Sequence, residues 1–271
     1  MTRAHGKRAT LLIFAAFAIS TLILIFHSRP VNPPTITEHN RIFFSEGNPW
    51  PEGHAIKHCY LDARLYEGPL LQVTIHLETE NYRENDGGEF LDNDREANWE
   101  SKVAWNNYHS CNIDGVILRA TPGDPVSIDS LESSIHVIDP LPGAIDKFME
   151  DDLEFSIYLL GHDSVSDHRF EFGTPSDFGL PMKWTGRIAL SYSGEYDFDY
   201  AFALETTLKS LERVWYPEDW DDEEAQKILT SLLKEADQFL IGTVDGRKAF
   251  TRRPQALQRT EHDVGLKGLQ P

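Results

Sequence analysis

The sequence predicts a mainly β protein with a C-terminal helix (α+β), built as an antiparallel sheet or sandwich behind a single N-terminal transmembrane helix. Three observations predict it. A run of segments alternates apolar and polar residues at period two. One late segment switches to helical spacing, and one uncharged apolar stretch stands near the start. With 271 residues, 40% of them hydrophobic and 25% charged, the chain has the composition of a globular domain and enough length to bury a core.

The apolar stretch comes first. Residues 9–26, ATLLIFAAFAISTLILIF, hold no charge, and eighteen helical residues rise roughly 27 Å, close to a hydrocarbon core. Arg3, Lys7 and Arg8 precede it, which predicts a cytoplasmic N-terminus at 1–8, a signal-anchor at 9–26 and an extracytoplasmic remainder in a periplasm or equivalent space. A cleavable signal peptide is the competing reading, but its small-x-small site, Ala16-Phe17-Ala18, falls in mid-segment. Residues 27–52 are rich in proline and read as an extended linker.

A β-rich acidic domain is expected over 53–241. Leu71, Val73, Ile75 and Leu77 alternate with polar neighbours as a half-buried strand. Further strands are expected over Ile113–Ala120, Ser134–Ile138, Leu153–Leu160, His168–Phe172, Trp184–Tyr192 and Tyr196–Leu204. The last two share matching apolar faces, Trp184, Ile188 and Leu190 against Phe198, Phe202 and Leu204, joined by a tight turn at Ser193-Gly194-Glu195. Short helices are expected over Gly143–Asp151 and Glu205–Val214. A longer one is expected over Asp221–Leu240, with Asp221 as N-cap, Glu224 completing a capping box, and a stripe from Ala225 to Phe239 facing the sheet. Residues 242–271 lose the apolar period, turn basic and read as a disordered tail.

Charge excludes one class of function. Acidic residues outnumber basic ones 44 to 25. Setting aside the basic ends leaves 15 basic and 41 acidic residues between Pro30 and Ile241. Such a domain repels nucleic acid and attracts a basic protein.

Candidate chemistry is sparse. Cys59 and Cys111 are expected to form a disulfide in an oxidising compartment. His162, Asp163, Asp167 and His168 flank what reads as a hairpin loop, and two imidazoles with two carboxylates suit a divalent metal, the one candidate cofactor. His54 and His58, four apart, would share a face on a helix. Asp92-Asn93-Asp94 opens like a calcium loop, but Ala97 and Val103 stand where glycine and the bidentate glutamate belong. No nucleophile elbow, Walker loop, dinucleotide fingerprint or zincin motif is present.

These features lead to the expectation of a membrane-anchored, extracytoplasmic protein-binding domain without catalysis. Its model is an immunity or inhibitor protein that neutralises a toxin, with Trp99, Trp105, Tyr108, Trp215, Tyr216 and Trp220 as aromatic anchors for a basic partner. A metal-dependent hydrolase or sensor using the His/Asp segment, and a structural component of an envelope complex, are the alternatives.

Overall fold

The computed structural model describes residues 31–82, 98–107, 109–149 and 152–253. The signal-anchor at 9–26, the calcium-like run at 92–94 and Tyr108 lie outside the described residues. Among the described residues no helix is long and apolar enough to cross a membrane.

Among the described residues twelve strands form one continuous sheet, and eight of them close into an antiparallel barrel. The staves run β1 (Arg41–Phe44), β2 (His54–Tyr66), β3 (Leu70–Thr79), β4 (Asn112–Ala120), β6 (Phe155–Tyr158), β7 (His162–Phe172), β8 (Leu180–Ala189) and β9 (Tyr200–Leu208). β1 pairs with β9 on one side and with the start of β2 on the other, through Arg41↔Ala55 and Ile42↔His54. Neighbours in the barrel thus follow chain order, apart from β5 (Ile135–Ile138), which joins the outer half of β7. Closure removes the free edges that an open sheet would expose. The part of the expected linker at 41–44 is therefore a stave of the barrel.

The period-two pattern works because one face of each stave points inward. Leu71, Val73, Ile75 and Leu77 are fully buried, as are Trp184, Ile188, Phe202 and Leu204. At eight strands a barrel interior is just wide enough for side chains to fill. Two glycines make the aromatic filling fit. A Cβ at Gly115 would lie 2.1 Å from the Phe155 ring, and one at Gly186 would lie 2.5 Å from Phe202. The bare backbone at each point leaves room for a ring.

The wall continues beyond the barrel. β2 outruns β1, and its far half pairs in parallel with β10 (Arg213–Trp215), which carries β12 (Arg247–Arg252) and β11 (Phe239–Val244). So the expected helix at Glu205–Val214 is strand instead: Thr206, Thr207 and Leu208 stay in the ladder with β8. The expected disordered tail begins with a hairpin, since β11 and β12 pair from Phe239↔Arg252 to Val244↔Arg247.

Among the described residues three α-helices lie outside the staves: α1 (Lys102–Asn107), α2 (Gly143–Met149) and α3 (Asp222–Leu232). Asp221 caps α3, accepting from the backbone N–H of Glu223 at 2.8 Å and of Glu224 at 3.4 Å. The helix buries Ala225, Leu229 and Leu232 in the same apolar cluster as the barrel. It ends eight residues earlier than its apolar stripe predicts, because Val126 intervenes. Val126 N–H donates to Leu232 O and Lys234 N–H donates to Val126 O, drawing the chain into an extended path. The Glu235 carboxylate then takes the Ser127 hydroxyl and the Ile128 N–H. Asp221→Ala is expected to cost about 1 kcal/mol in urea unfolding, while Asp219→Ala, at an exposed position ahead of the cap, leaves the midpoint in place.

The expected disulfide is absent. Cys59 and Cys111 are buried free thiols. Cys59 lies on β2 opposite Leu77, and Cys111 N–H and C=O engage Thr79 at the far edge of β3. One strand thus stands between them. Two strand spacings are about 9.5 Å, beyond the roughly 7 Å that a disulfide spans between Cα atoms. Burial pushes both thiols up, Cys59 to about 12, which leaves them unreactive.

Candidate binding surface at the loop end of the barrel

At one end of the barrel four connections gather, in their described parts: 45–53, 80–82 with 98–107 and 109–111, 159–161 and 190–199. The mouth is closed by rings. Trp105 lies 5.1 Å from Phe44 and 5.3 Å from Trp99, with His54 and Tyr82 packed beside it. These aromatics fill the top of the core.

The expected partner anchors are mostly inside. Trp99, Trp105, Trp215 and Tyr216 are buried, and Trp220 is half-buried against the core. Trp215 Nε1–H donates to both carboxylate oxygens of Asp62, at 3.1 and 3.0 Å, and Tyr216 OH donates to Asp222 at 3.1 Å. Their amphipathic chemistry is spent on holding the β10 extension to β2 and α3. Trp99, Trp105, Trp215 and Tyr216 are core residues.

The four expected metal ligands do not converge. They lie along β7, where alternation and a bulge send them in different directions. His162 is exposed, 5.1 Å from the Tyr158 ring. Asp163 is buried, and its two oxygens accept from Leu160 N–H at 3.0 Å and Tyr192 N–H at 3.3 Å. Burial raises its pKa, and those two bonds pull the other way. Asp167 forms the bulge at φ 51°, its N–H donating to Asp139 O at 2.7 Å. His168 points into the barrel, fully buried among Phe155, Phe170, Trp184 and Phe202, and its Nδ1 accepts from Trp184 Nε1–H at 3.1 Å. Burial lowers its pKa to about 3, so it is a neutral core residue. Among the described residues no group of three or more His, Cys, Asp or Glu side chains is placed to hold a metal.

His54 and His58 also fail as a pair. Both are on β2, with a bulge between Ile56 and His58, and His54 is buried while His58 is exposed. Burial, and then the Arg41 charge, lower the His54 pKa to about 3.

What the surface does offer is the connection from β8 to β9. The period-two pattern of WTGRIALSY and YDFDYAFAL predicted strands meeting in a tight turn. The strands stop at Ala189 and resume at Tyr200, leaving a ten-residue loop over 190–199. Its first half is a 3-10 turn, Ser191–Ser193, closed by Gly194 at φ 89°. Asp163 pins this turn through Tyr192 N–H, and the Ser164 and Ser191 hydroxyls meet at 2.9 Å. Its second half is anchored by Phe198, buried against Phe148 at 5.9 Å, and by the Arg187 guanidinium, which donates to Phe198 O.

Between these anchors the loop turns outward. Tyr192 is 59% and Tyr196 56% exposed. Glu195, Asp197 and Asp199 are exposed beside them. A shallow depression of ≈ 320 Å³ is lined by Gly194, Glu195, Tyr196, Asp197, Asp199 and Tyr200. Tyr200 forms its floor, stacked on Trp99 at 4.2 Å and donating to Glu195 at 3.2 Å. Burial and the Glu195 charge raise the Tyr200 pKa to about 12, which keeps that donor protonated.

The string SYSGEYDFDY carries the signal for this surface, carboxylate and aromatic residues alternating after one glycine. The same alternation also fits a strand, which is why period alone does not distinguish the loop. No family model, curated protein or solved structure matches the chain.

Proposed function

We propose that the chain is a non-catalytic protein-binding domain that meets a basic partner through the β8–β9 loop. The apolar segment at 9–26 would hold it to a membrane in the extracytoplasmic space, and its mode of action would be that of an immunity or inhibitor protein neutralising a toxin. The observation that carries this reading is the pair of exposed tyrosines set among three carboxylates on a loop fixed at both ends.

Each part of that surface has a physical use. A tyrosine ring gives contact area at low entropy cost and a face for a lysine or arginine cation. Carboxylates beside it supply charge-assisted hydrogen bonds. A loop pinned by Asp163 and Phe198 loses little freedom on binding. The net acidity of the domain adds long-range attraction that raises the encounter rate.

The test is co-expression with the products of neighbouring genes. Relief of the toxicity of one of them by the wild-type chain is expected. The variant Glu195→Lys, Asp197→Lys, Asp199→Lys is expected to lose that relief, by a factor of about 100 or more in affinity. Equal relief by the variant, or no toxic neighbour, would count against the proposal.

A further inference from the structure

We infer that the turn between β7 and β8 is a second membrane contact, with the Phe178 ring entering the headgroup boundary of a zwitterionic bilayer. The inference rests on the anchorage proposed above for residues 9–26. Phe178 is 88% exposed, more than any other large apolar side chain among the described residues. Its backbone holds it out. Ser176 N–H donates to Gly179 O at 2.9 Å, Gly179 N–H donates to Ser176 O at 3.0 Å, and Phe178 N–H donates to the Ser176 hydroxyl oxygen at 3.3 Å. Gly179, at φ 125°, seats the turn on the end of β9, where a Cβ would lie 2.5 Å from Leu208 O. The turn is thus held in one shape that leaves the ring outside.

The same bonds suit the turn to a bilayer surface. Backbone groups that leave water must be satisfied within the chain. Pro175 carries no N–H, and those of Ser176, Phe178 and Gly179 are already taken. Asp177, exposed beside the ring, decides which lipid is met. It is the one charge in the turn 173–179, and at the base of the hairpin Lys183 stands between Glu171 and Glu205 on the neighbouring strands. An anionic surface repels such a tip, whereas the ammonium groups of zwitterionic lipids can meet its carboxylate.

Topology selects a bilayer over a protein partner. The turn lies at the end of the barrel opposite loop 190–199, since β8 runs from one to the other. The chain enters the barrel at this same end. Asn40 N–H donates to Glu205 O at 2.7 Å, and His39 shares with Gly173, Pro181 and Lys183 a cleft of ≈ 340 Å³ at the base of the hairpin. Asn40 follows Phe26, the last residue of the apolar segment, by fourteen positions, a reach of at most about 50 Å. An anchor in the membrane therefore keeps this end nearest the bilayer, at an effective concentration that free collision does not provide. Burying one phenyl ring then favours the docked state by about 10–100-fold. Docked this way, loop 190–199 stands farther out by about 30 Å, the length of β8, where a soluble partner reaches it.

The test uses the full chain in vesicles of zwitterionic lipid brominated in its acyl chains, which quench an indole that enters them. Phe178→Trp is compared with Tyr158→Trp, at the opposite end of the barrel where β6 stops. Both variants and the wild type are expected to float with the vesicles after an alkaline wash, which reads anchorage alone. The indole added at position 178 is expected to be blue-shifted and quenched by about twofold or more, and the one added at position 158 to be unaffected. Mixing in anionic lipid should weaken the quenching at 178. Flotation without quenching overturns the membrane contact and leaves the anchorage standing, whereas loss of flotation overturns both. A blue shift without quenching places the ring against protein and also overturns the inference. Equal quenching of the two variants, or stronger quenching in anionic vesicles, would contradict the surface assigned here.

Discussion

Lowering the pH from 7 to 5 is expected to remove up to about 4 kcal/mol of folding stability through two buried histidines. His54 and His168 are held at pKa values of about 3 in the folded state, against about 6.5 in the unfolded chain. Well above pH 6.5 neither state binds the protons, so the stability is fully present. Below it the unfolded chain takes up two protons that the fold refuses, and stability falls by about 3 kcal/mol per pH unit until the folded values are reached near 3. Asp163 opposes this, since its raised pKa favours the folded state on acidification. His76, raised by its hydrogen bond to Asp114, opposes it too.

Denaturant unfolding at several pH values reads this slope directly. His54→Phe should roughly halve it, because among the described residues His54 Nε2 has no hydrogen-bond partner to lose and its ring already packs among Trp50, Tyr82 and Trp105. A slope unchanged by this substitution would show that other groups govern acid unfolding.

Trp184→Ala is expected to cost about 3–5 kcal/mol and to lower the melting temperature by about 10 °C. The indole is fully buried and touches Phe155, Phe170 and Phe202. It also supplies the hydrogen bond on His168 Nδ1. Its removal opens a cavity and strips that nitrogen of its donor, and an unsatisfied buried acceptor adds to the cost. Tyr196→Ala, on the exposed loop, is the contrast and should shift stability by no more than about 0.5 kcal/mol. A small effect at Trp184 would mean that the barrel interior is not the packed core described above.

The staves were legible because burial on one face imposes a period of two, and Leu71, Val73, Ile75 and Leu77 obey it without exception. Closure was not legible. It depends on β1, whose residues Arg41–Phe44 are too few to show a period and follow a proline-rich run. The same local pattern misled at β11, where Leu240 and Ile241 extend the helical stripe in sequence but are exposed on a strand. Long-range pairing with β12 overrides the local preference there.

The site residues were harder to read, for a reason specific to aromatic side chains. Trp99 and Trp215 look like interface anchors by type, and only the closed mouth and the β10 extension make them core. Tyr192 and Tyr196 look like strand residues by position, and only the early end of β8 and the late start of β9 put them on the surface. His168 and Asp163 resemble ligands, yet one packs against indole and the other staples a loop. In each case the residue type was informative and the direction of the side chain was set by partners distant in sequence.

Hydrogen–deuterium exchange of the full chain, alone and with the toxic protein that it relieves, tests the central claim most directly. The binding account predicts slowed exchange concentrated in residues 190–200, weakening as salt is raised. Protection confined to the opposite end of the barrel, with 190–200 exchanging at its free rate, would contradict it.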